Sequence, residues 1–129
     1  MITKLICIAL GSGLGGVGRY LLGKAIHPVF FPSFPWGTLV VNLLGCLVIG
    51  SIYGAIDRGF SLSENMRLFL TVGFCGGFTT FSTFSHENFL LFQSPQPLTL
   101  LTYMGVSLAG GLFLVYAGYL FSNLLFRTA

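Results

Sequence analysis

Long apolar segments constrain this chain more than any other feature of its sequence. Hydrophobic residues make up 54% of its 129 residues and charged residues only 7%, whereas soluble domains carry about 25% charged residues. Six Lys/Arg and three Asp/Glu are too few to cover a surface that faces water. The composition therefore predicts an integral membrane protein.

Four segments are long enough to cross a bilayer, which takes about 20 mostly apolar residues. Polar or proline-containing breaks separate them, and they cover residues 3–26, 37–56, 66–92 and 98–126. Residues 27–28 (HP) end the first, residues 57–59 (DRG) end the second, and residues 61–64 resemble a capped start of the third. We expect an all-α membrane protein whose residues 1–129 form one domain of four transmembrane helices.

An even number of spans places both termini on the same side of the membrane. That side holds four basic residues, Lys4, Arg58, Arg67 and Arg127. The other side holds Lys24, and also Arg19 if Arg19 counts as a loop residue. Because cytoplasmic loops carry the excess of Lys and Arg, the count favours cytoplasmic termini, by a small margin.

Two glycine pairs have the spacing that lets transmembrane helices approach closely. They are Gly11 with Gly15 and Gly50 with Gly54. Such pairs pack helices either within one chain or between copies of a chain. So short a chain leaves few internal partners, so we favour assembly of a homo-oligomer.

Polar side chains at membrane depth are costly and suggest function. The predicted spans contain Arg19, Asn42, His86, Glu87, Tyr103 and Ser107. Arg19 could instead snorkel to the interface, Glu87 could sit at the headgroups, and Tyr103 could belong to an aromatic belt. Asn42 could be an interhelical hydrogen-bonding group, but it lies deep and has no long stem with which to reach water.

The third segment contains GFCGGFTTFSTFS at residues 73–85. At about 100° per residue, its later hydroxyls fall with His86 and Glu87 in an arc of roughly 160°, opposite the phenylalanines. Gly73, Gly76 and Gly77 weaken a helix, and the Thr and Ser side chains compete for backbone hydrogen bonds, so a break is expected in the part before Thr79. Freed carbonyls at such a break can bind a cation, and the N-terminus of the following half-helix favours an anion.

The polar groups are mostly hydrogen-bond donors, which favours an anion as the ligand. Asn42 and the Thr/Ser hydroxyls can donate, Arg19 adds positive charge, and phenylalanine ring edges are weakly positive. A wide polar lining is missing from the sequence pattern, which favours a small anion. These residues alone leave open fluoride or chloride, and a channel or a carrier.

Three motifs resemble those of a known family. They are GRY at residues 18–20, GTLVVNLLG at 37–45 and GFCGGFTTFSTFS at 73–85, which Glu87 follows. Together they closely resemble the Fluc/CrcB family of fluoride-exporting channels of microorganisms. Chain length, four spans and motif order extend the resemblance over almost the whole chain.

The resemblance implies an assembly and a cofactor that composition does not show. Family members are antiparallel homodimers of dual topology, with two fluoride pathways along the subunit interface and a sodium ion at the dimer centre. By motif position, the backbone carbonyls of Gly76 and Thr79 at the break in the third helix would hold the sodium. The resemblance further implies a fluoride-selective channel in the plasma membrane of a microorganism, in bacteria the inner membrane, that relieves fluoride toxicity by export down the gradient.

The resemblance also assigns the residues of the fluoride pathway. They are Arg19, Asn42, Thr80, Phe81, Ser82, Thr83, Phe84, Tyr103 and Ser107. The ring edges line the route, the asparagine donates its amide, the hydroxyls form a track, and the arginine lies at the aqueous entrance. The match at Tyr103 and Ser107 is looser, and the roles of His86 and Glu87 stay open.

Two other functions fit the residues. A proton-coupled carrier of fluoride or another small anion would need a titratable group, which Glu87 or His86 could supply. A structural subunit would use the polar residues only as interhelical hydrogen-bonding groups. No nucleophile–base pairing suggests an enzyme, the scattered basic residues do not suggest nucleic-acid binding, and Cys7, Cys46 and Cys75 are interpreted as small apolar packing residues.

Overall fold

The computed structural model describes residues 1–26 and 33–126, and every regular element in that part of the chain is a helix. The elements are α1 (Ile2–Ile26), α2 (Trp36–Asp57), α3 (Glu64–Leu68), a π-helical segment (Phe69–Cys75), α4 (Gly76–Phe78), α5 (Phe81–Gln93) and α6 (Pro97–Leu125). Residues 27–28 and Arg127, which entered the sequence predictions, lie outside the described residues.

The prediction of four transmembrane spans is confirmed. Four helical stretches are long and apolar enough to cross a membrane: Ile2–Ile26, Trp36–Asp57, Glu64–Gln93 and Pro97–Leu125. Their ends lie within about two residues of the predicted ends, since the polar breaks in the sequence mark them. The predicted cap of the third span also forms, because the Ser63 hydroxyl accepts a hydrogen bond of 3.2 Å from the Met66 amide.

The glycines of α2 bring its backbone against that of α6. A Cβ at Gly50 would lie under 3.0 Å from the Val115 backbone, and one at Gly54 would meet the backbone of Tyr119. On α6, a Cβ at Gly118 would likewise meet the Leu47 carbonyl. These glycines therefore join two helices of one chain.

The glycines of α1 face the third span. A Cβ at Gly11 would collide with the backbone at Phe69, and one at Gly15 with the backbone at Phe74. From the opposite side, Gly73 and Gly77 meet α1 just as closely. The prediction that the two glycine pairs assemble copies of the chain is wrong, because both pairs are used to pack helices within it.

The third span is broken near its centre, as predicted, but not by its glycines. The glycine-rich stretch stays helical, first as the π-helical segment and then as α4. The chain becomes extended at Thr79 (ψ 158°) and Thr80 (φ −148°, ψ 113°), and α5 begins at Phe81. Sequence reasoning placed the break in the glycine-rich part before Thr79, which is wrong, because those glycines allow close packing in a stretch that stays helical. The competing hydroxyls that it also named are present at the break itself, on Thr79 and Thr80.

We expect Gly50→Ala to lower the free energy of unfolding by about 1–3 kcal/mol, because the backbones of α2 and α6 would have to separate. Thermal unfolding in detergent, followed by circular dichroism, measures the change. Gly105→Ala on α6 is the matched control, since nothing lies within 4 Å of a Cβ at that position. Equal melting temperatures for Gly50→Ala and the wild type would contradict the close packing.

Candidate ion pathway

The Asn42 side chain holds the break in the third span. Its Oδ1 accepts a hydrogen bond of 2.7 Å from the Thr80 amide, and its Nδ2 donates one of 3.1 Å to the Thr80 carbonyl. A single side chain thus satisfies both backbone groups of a residue that has left the helix. Asn42 does make an interhelical contact, and one Nδ2 hydrogen remains for a further acceptor.

Thr80 also caps the half-helix that follows the break. Its hydroxyl accepts from the Thr83 amide at 3.3 Å and donates to the Thr83 hydroxyl at 3.0 Å. The Ser82 hydroxyl lies 3.4 Å from that of Thr80. The three hydroxyls of the predicted track are therefore brought together at the N-terminus of α5, where the helix dipole is positive.

The break frees the two backbone carbonyls that the sequence resemblance marks as sodium ligands. In a continuous helix the Gly76 carbonyl accepts from the Thr80 amide, and the Thr79 carbonyl accepts from the Thr83 amide. Here the Thr80 amide donates to Asn42 and the Thr83 amide donates to the Thr80 hydroxyl. Both carbonyl oxygens thus lose their helical donors, and such oxygens are ligands that suit Na⁺ at an unwound helix.

A depression of about 360 Å³ lies at the break, and we call it the central depression. Seven of the eleven predicted site residues line it: Asn42, Gly76, Thr79, Thr80, Phe81, Phe84 and Ser107. The Ser107 oxygen is buried and has no hydrogen-bond partner among the described residues. Phe81 is 76% exposed, so this depression opens sideways at the middle of the bundle.

A larger depression of about 860 Å³, the entrance depression, lies where α1 ends and α2 begins. Its polar lining includes Arg19, Lys24, Thr38, Thr80, Thr83 and Glu87. Among the residues of the two linings, Thr80 alone belongs to both. Thr80 therefore lies between the two depressions and borders both.

Glu87 is held firmly at the wall of the entrance depression. Its Oε1 accepts from the Thr38 hydroxyl at 2.7 Å, and its Oε2 accepts from the Tyr103 hydroxyl at 2.6 Å. Tyr103 is fully buried, with its ring 5.1 Å from that of Phe84, so its assignment to an interfacial aromatic belt is excluded. Sequence reasoning missed Thr38, although its place four residues before Asn42 puts both on one helix face.

Positive charge predominates in the entrance depression. Arg19 and Lys24 face a single carboxylate, that of Glu87, which gives two cations to one anion. The Arg19 Nε is buried without a hydrogen-bond partner among the described residues. His86 and Ser82 are exposed and line neither depression. A surplus of positive charge in a concave wall attracts anions.

The chain is similar in sequence to proteins of one family over most of its length. The sequence model described as "CrcB-like protein, Camphor Resistance (CrcB)" matches residues 6–119. A protein of Azobacteroides pseudotrichonymphae named "Fluoride-specific ion channel FluC" is 40% identical over 123 residues, which are 95% of this chain and 98% of that protein. Proteins with the same name from Bacteroides fragilis (45% identical, 89% of this chain and 92% of that protein) and Pyrococcus furiosus (40%, 95% and 98%) are also similar.

We expect Asn42→Ala to open the break locally, because the Thr80 amide and carbonyl would both lose their partner. Each buried group left unpaired costs about 1–3 kcal/mol. Hydrogen–deuterium exchange of the peptide that spans the break measures the opening. Asn88→Ala is the control, since Asn88 makes one bond, to the Phe84 carbonyl. Unchanged protection of the Thr80 amide in Asn42→Ala would refute the role of Asn42.

Proposed function

The chain belongs to the CrcB family, and from that premise we propose that it is a fluoride-selective channel through which cytoplasmic fluoride leaves down its electrochemical gradient. Its relatives bear the name of an ion channel, not of an enzyme. The observation that carries the proposal is the placement of Thr80, which borders both a depression with a surplus of positive charge and one lined by hydrogen-bond donors and phenylalanine rings.

The central depression offers substitutes for the water that fluoride loses on entry. The Ser107 hydroxyl has no partner among the described residues, and the Asn42 amide keeps one free hydrogen. Phe81 and Phe84 present rings whose edges are weakly positive, with centroids 5.9 Å apart. Donors at close range can replace the hydration shell of fluoride. They replace that of chloride less well, because chloride is larger and cannot come as close to each donor.

Anion entry is favoured at the other depression. Arg19 and Lys24 raise the local anion concentration, while Thr38 and Tyr103 hold the Glu87 carboxylate at the wall. A membrane potential that is negative inside expels fluoride with about 2.3 kcal/mol per charge per 100 mV. In an acidic medium fluoride enters a cell as neutral HF and ionises inside, so a passive channel in the plasma membrane, in bacteria the inner membrane, relieves its toxicity.

The sideways opening of the central depression favours a homodimer. Lipid cannot hydrogen-bond the freed carbonyls of Gly76 and Thr79, which must therefore be covered by protein or face a cavity. A second copy of the chain, inserted in the opposite orientation, would cover them and complete two pores. In the sequence, four basic residues on the terminal side (Lys4, Arg58, Arg67 and Arg127) stand against Lys24 on the other, and also Arg19 if it counts as a loop residue, a small bias that suits dual topology.

The freed carbonyls of Gly76 and Thr79 fit a sodium ion at the dimer centre. Carbonyl oxygens are hard ligands, and the helical donors of both now bond elsewhere. A bound sodium would supply a fixed positive charge beside the anion route. The chain's own part is to hold the break open, which Asn42 and Thr80 do.

The channel is tested by efflux from liposomes that contain the purified chain, with fluoride inside in one set and chloride in the other. We expect fast fluoride efflux and sealed chloride vesicles. Phe81→Ile should slow fluoride efflux about tenfold, which corresponds to about 1.4 kcal/mol. Phe92→Ile is the matched control, because Phe92 is 75% exposed, as Phe81 is 76%, but lines neither depression. Vesicles that retain fluoride, or lose chloride equally fast, would overturn the proposal.

A proton-coupled fluoride carrier is the alternative, since Glu87 is a titratable group beside the route. A carrier requires Glu87 to gain and lose its proton in each cycle, whereas two donors hold it in place. Efflux should therefore stay the same when the proton gradient across the liposome is reversed. Slow efflux that follows the proton gradient and stops in Glu87→Gln would establish the carrier instead.

The sodium ion is tested by its effect on stability. A ligand at 100 times its dissociation constant stabilises the folded state by about 2.7 kcal/mol. We expect the melting temperature in detergent to fall when sodium is replaced by N-methylglucamine and to recover when sodium is returned, with potassium as the control cation. An unchanged melting temperature would argue against a bound sodium.

A further inference from the structure

Two thiols lie in the wall of the central depression, and the proposed pathway uses neither. Cys46 lies on α2, four residues after Asn42 and on the same helix face. Cys75 ends the π-helical segment, four residues before Thr79. Both cysteines are free thiols. Thus α2, which supplies Asn42, and the π-helical segment, which precedes the break, each contribute a thiol to the lining of the central depression.

Both cysteines lie at packed positions of the bundle. Cys75 is only 3% exposed, and its carbonyl accepts from the Thr79 amide at 2.9 Å and from the Thr79 hydroxyl at 2.8 Å. Cys46 faces Gly111 of α6, where a Cβ would come within 3.3 Å of its sulfur. Cys46 and Cys75 line the same depression, which has a volume of only about 360 Å³.

We propose that Cys46 and Cys75 form a two-thiol site for the soft, two-coordinate cation Hg(II). Soft cations prefer thiolate ligands, whereas zinc sites take four ligands and hard cations prefer oxygen. With Hg(II), two S–H bonds break, two Hg–S bonds form and two protons leave for water. The product is a neutral bis-thiolate, which suits a membrane interior better than a charged complex. The site would be an addition to the packing role that the sequence predicts for these two cysteines.

A cation held at this site would cross-link α2 to the third span beside the break. It would lie in the space that Asn42 and Thr79 line, and it would occupy part of the proposed fluoride route. Hg(II) should therefore block fluoride efflux. This consequence rests on the proposed function, whereas the binding itself does not.

Binding is measured with mercury(II) nitrate in chloride-free buffer, through the ultraviolet absorption of mercury thiolates, with a competing monothiol present. The background is Cys7→Ser, because Cys7 lies on α1, lines neither depression and would bind mercury alone. We expect one mercury per chain. Adding Cys46→Ser or Cys75→Ser should each weaken binding about 100-fold, since either change leaves one thiol and loses the intramolecular second contact.

Two mercury ions per chain, or full affinity after the loss of either thiol, would overturn the two-thiol site. The second arm adds mercury(II) to liposomes during fluoride efflux: we expect a block in Cys7→Ser and none in the two double variants. If liposomes with the chain release no fluoride at all, the proposed function fails while the binding titration still decides the site. If mercury binds as expected but efflux continues, the placement of the site in the route is wrong.

Discussion

The pairing of Asn42 with Thr80 is the interaction on which the rest of the site depends. A transmembrane helix normally satisfies every backbone group within itself. Here a side chain on α2 takes over both groups of one residue in the third span. The helix can then end and restart inside the bundle without leaving the Thr80 backbone unpaired. Because Asn42 replaces the helical partners of Thr80, the Gly76 carbonyl loses its helical donor and a new half-helix can begin at Phe81.

Glycine and threonine have different roles in the third span: the glycines allow close packing and the threonines interrupt the helix. Gly73 and Gly77 let the span lie directly on α1, and this contact fixes the depth of the helix in the bundle. Thr79 and Thr80 then supply hydroxyls that compete with the helical hydrogen bonds. Because Gly77 packs on α1 only two residues before the break begins at Thr79, the packing also fixes the position of the break.

The sequence predicted the spans and the broken helix because hydrophobic length and helix-weakening residues are local properties. It also singled out Asn42, because that amide lies deep in an apolar span, and the hydroxyls of the third span, because they are dense there. Sequence reasoning failed where the partner of a residue lies far away along the chain. Whether Gly50 meets α6 or another chain depends on tertiary packing, and so does the contact of Glu87 with Thr38. Nothing in the residue order around Cys46 and Cys75 shows that they share one depression.

The number of residues in the π-helical segment, Phe69–Cys75, sets the direction in which the residues of the break point. A π-turn holds more residues than an α-turn, and such turns often lie at functional sites. Removing one residue from Phe69–Cys75 would rotate everything downstream by about 100°. The two threonines would then turn away from Asn42, although each side chain would still be present. Substitutions at exposed positions of the segment, such as Val72, keep this register, whereas an insertion or deletion there would uncouple the two halves of the span.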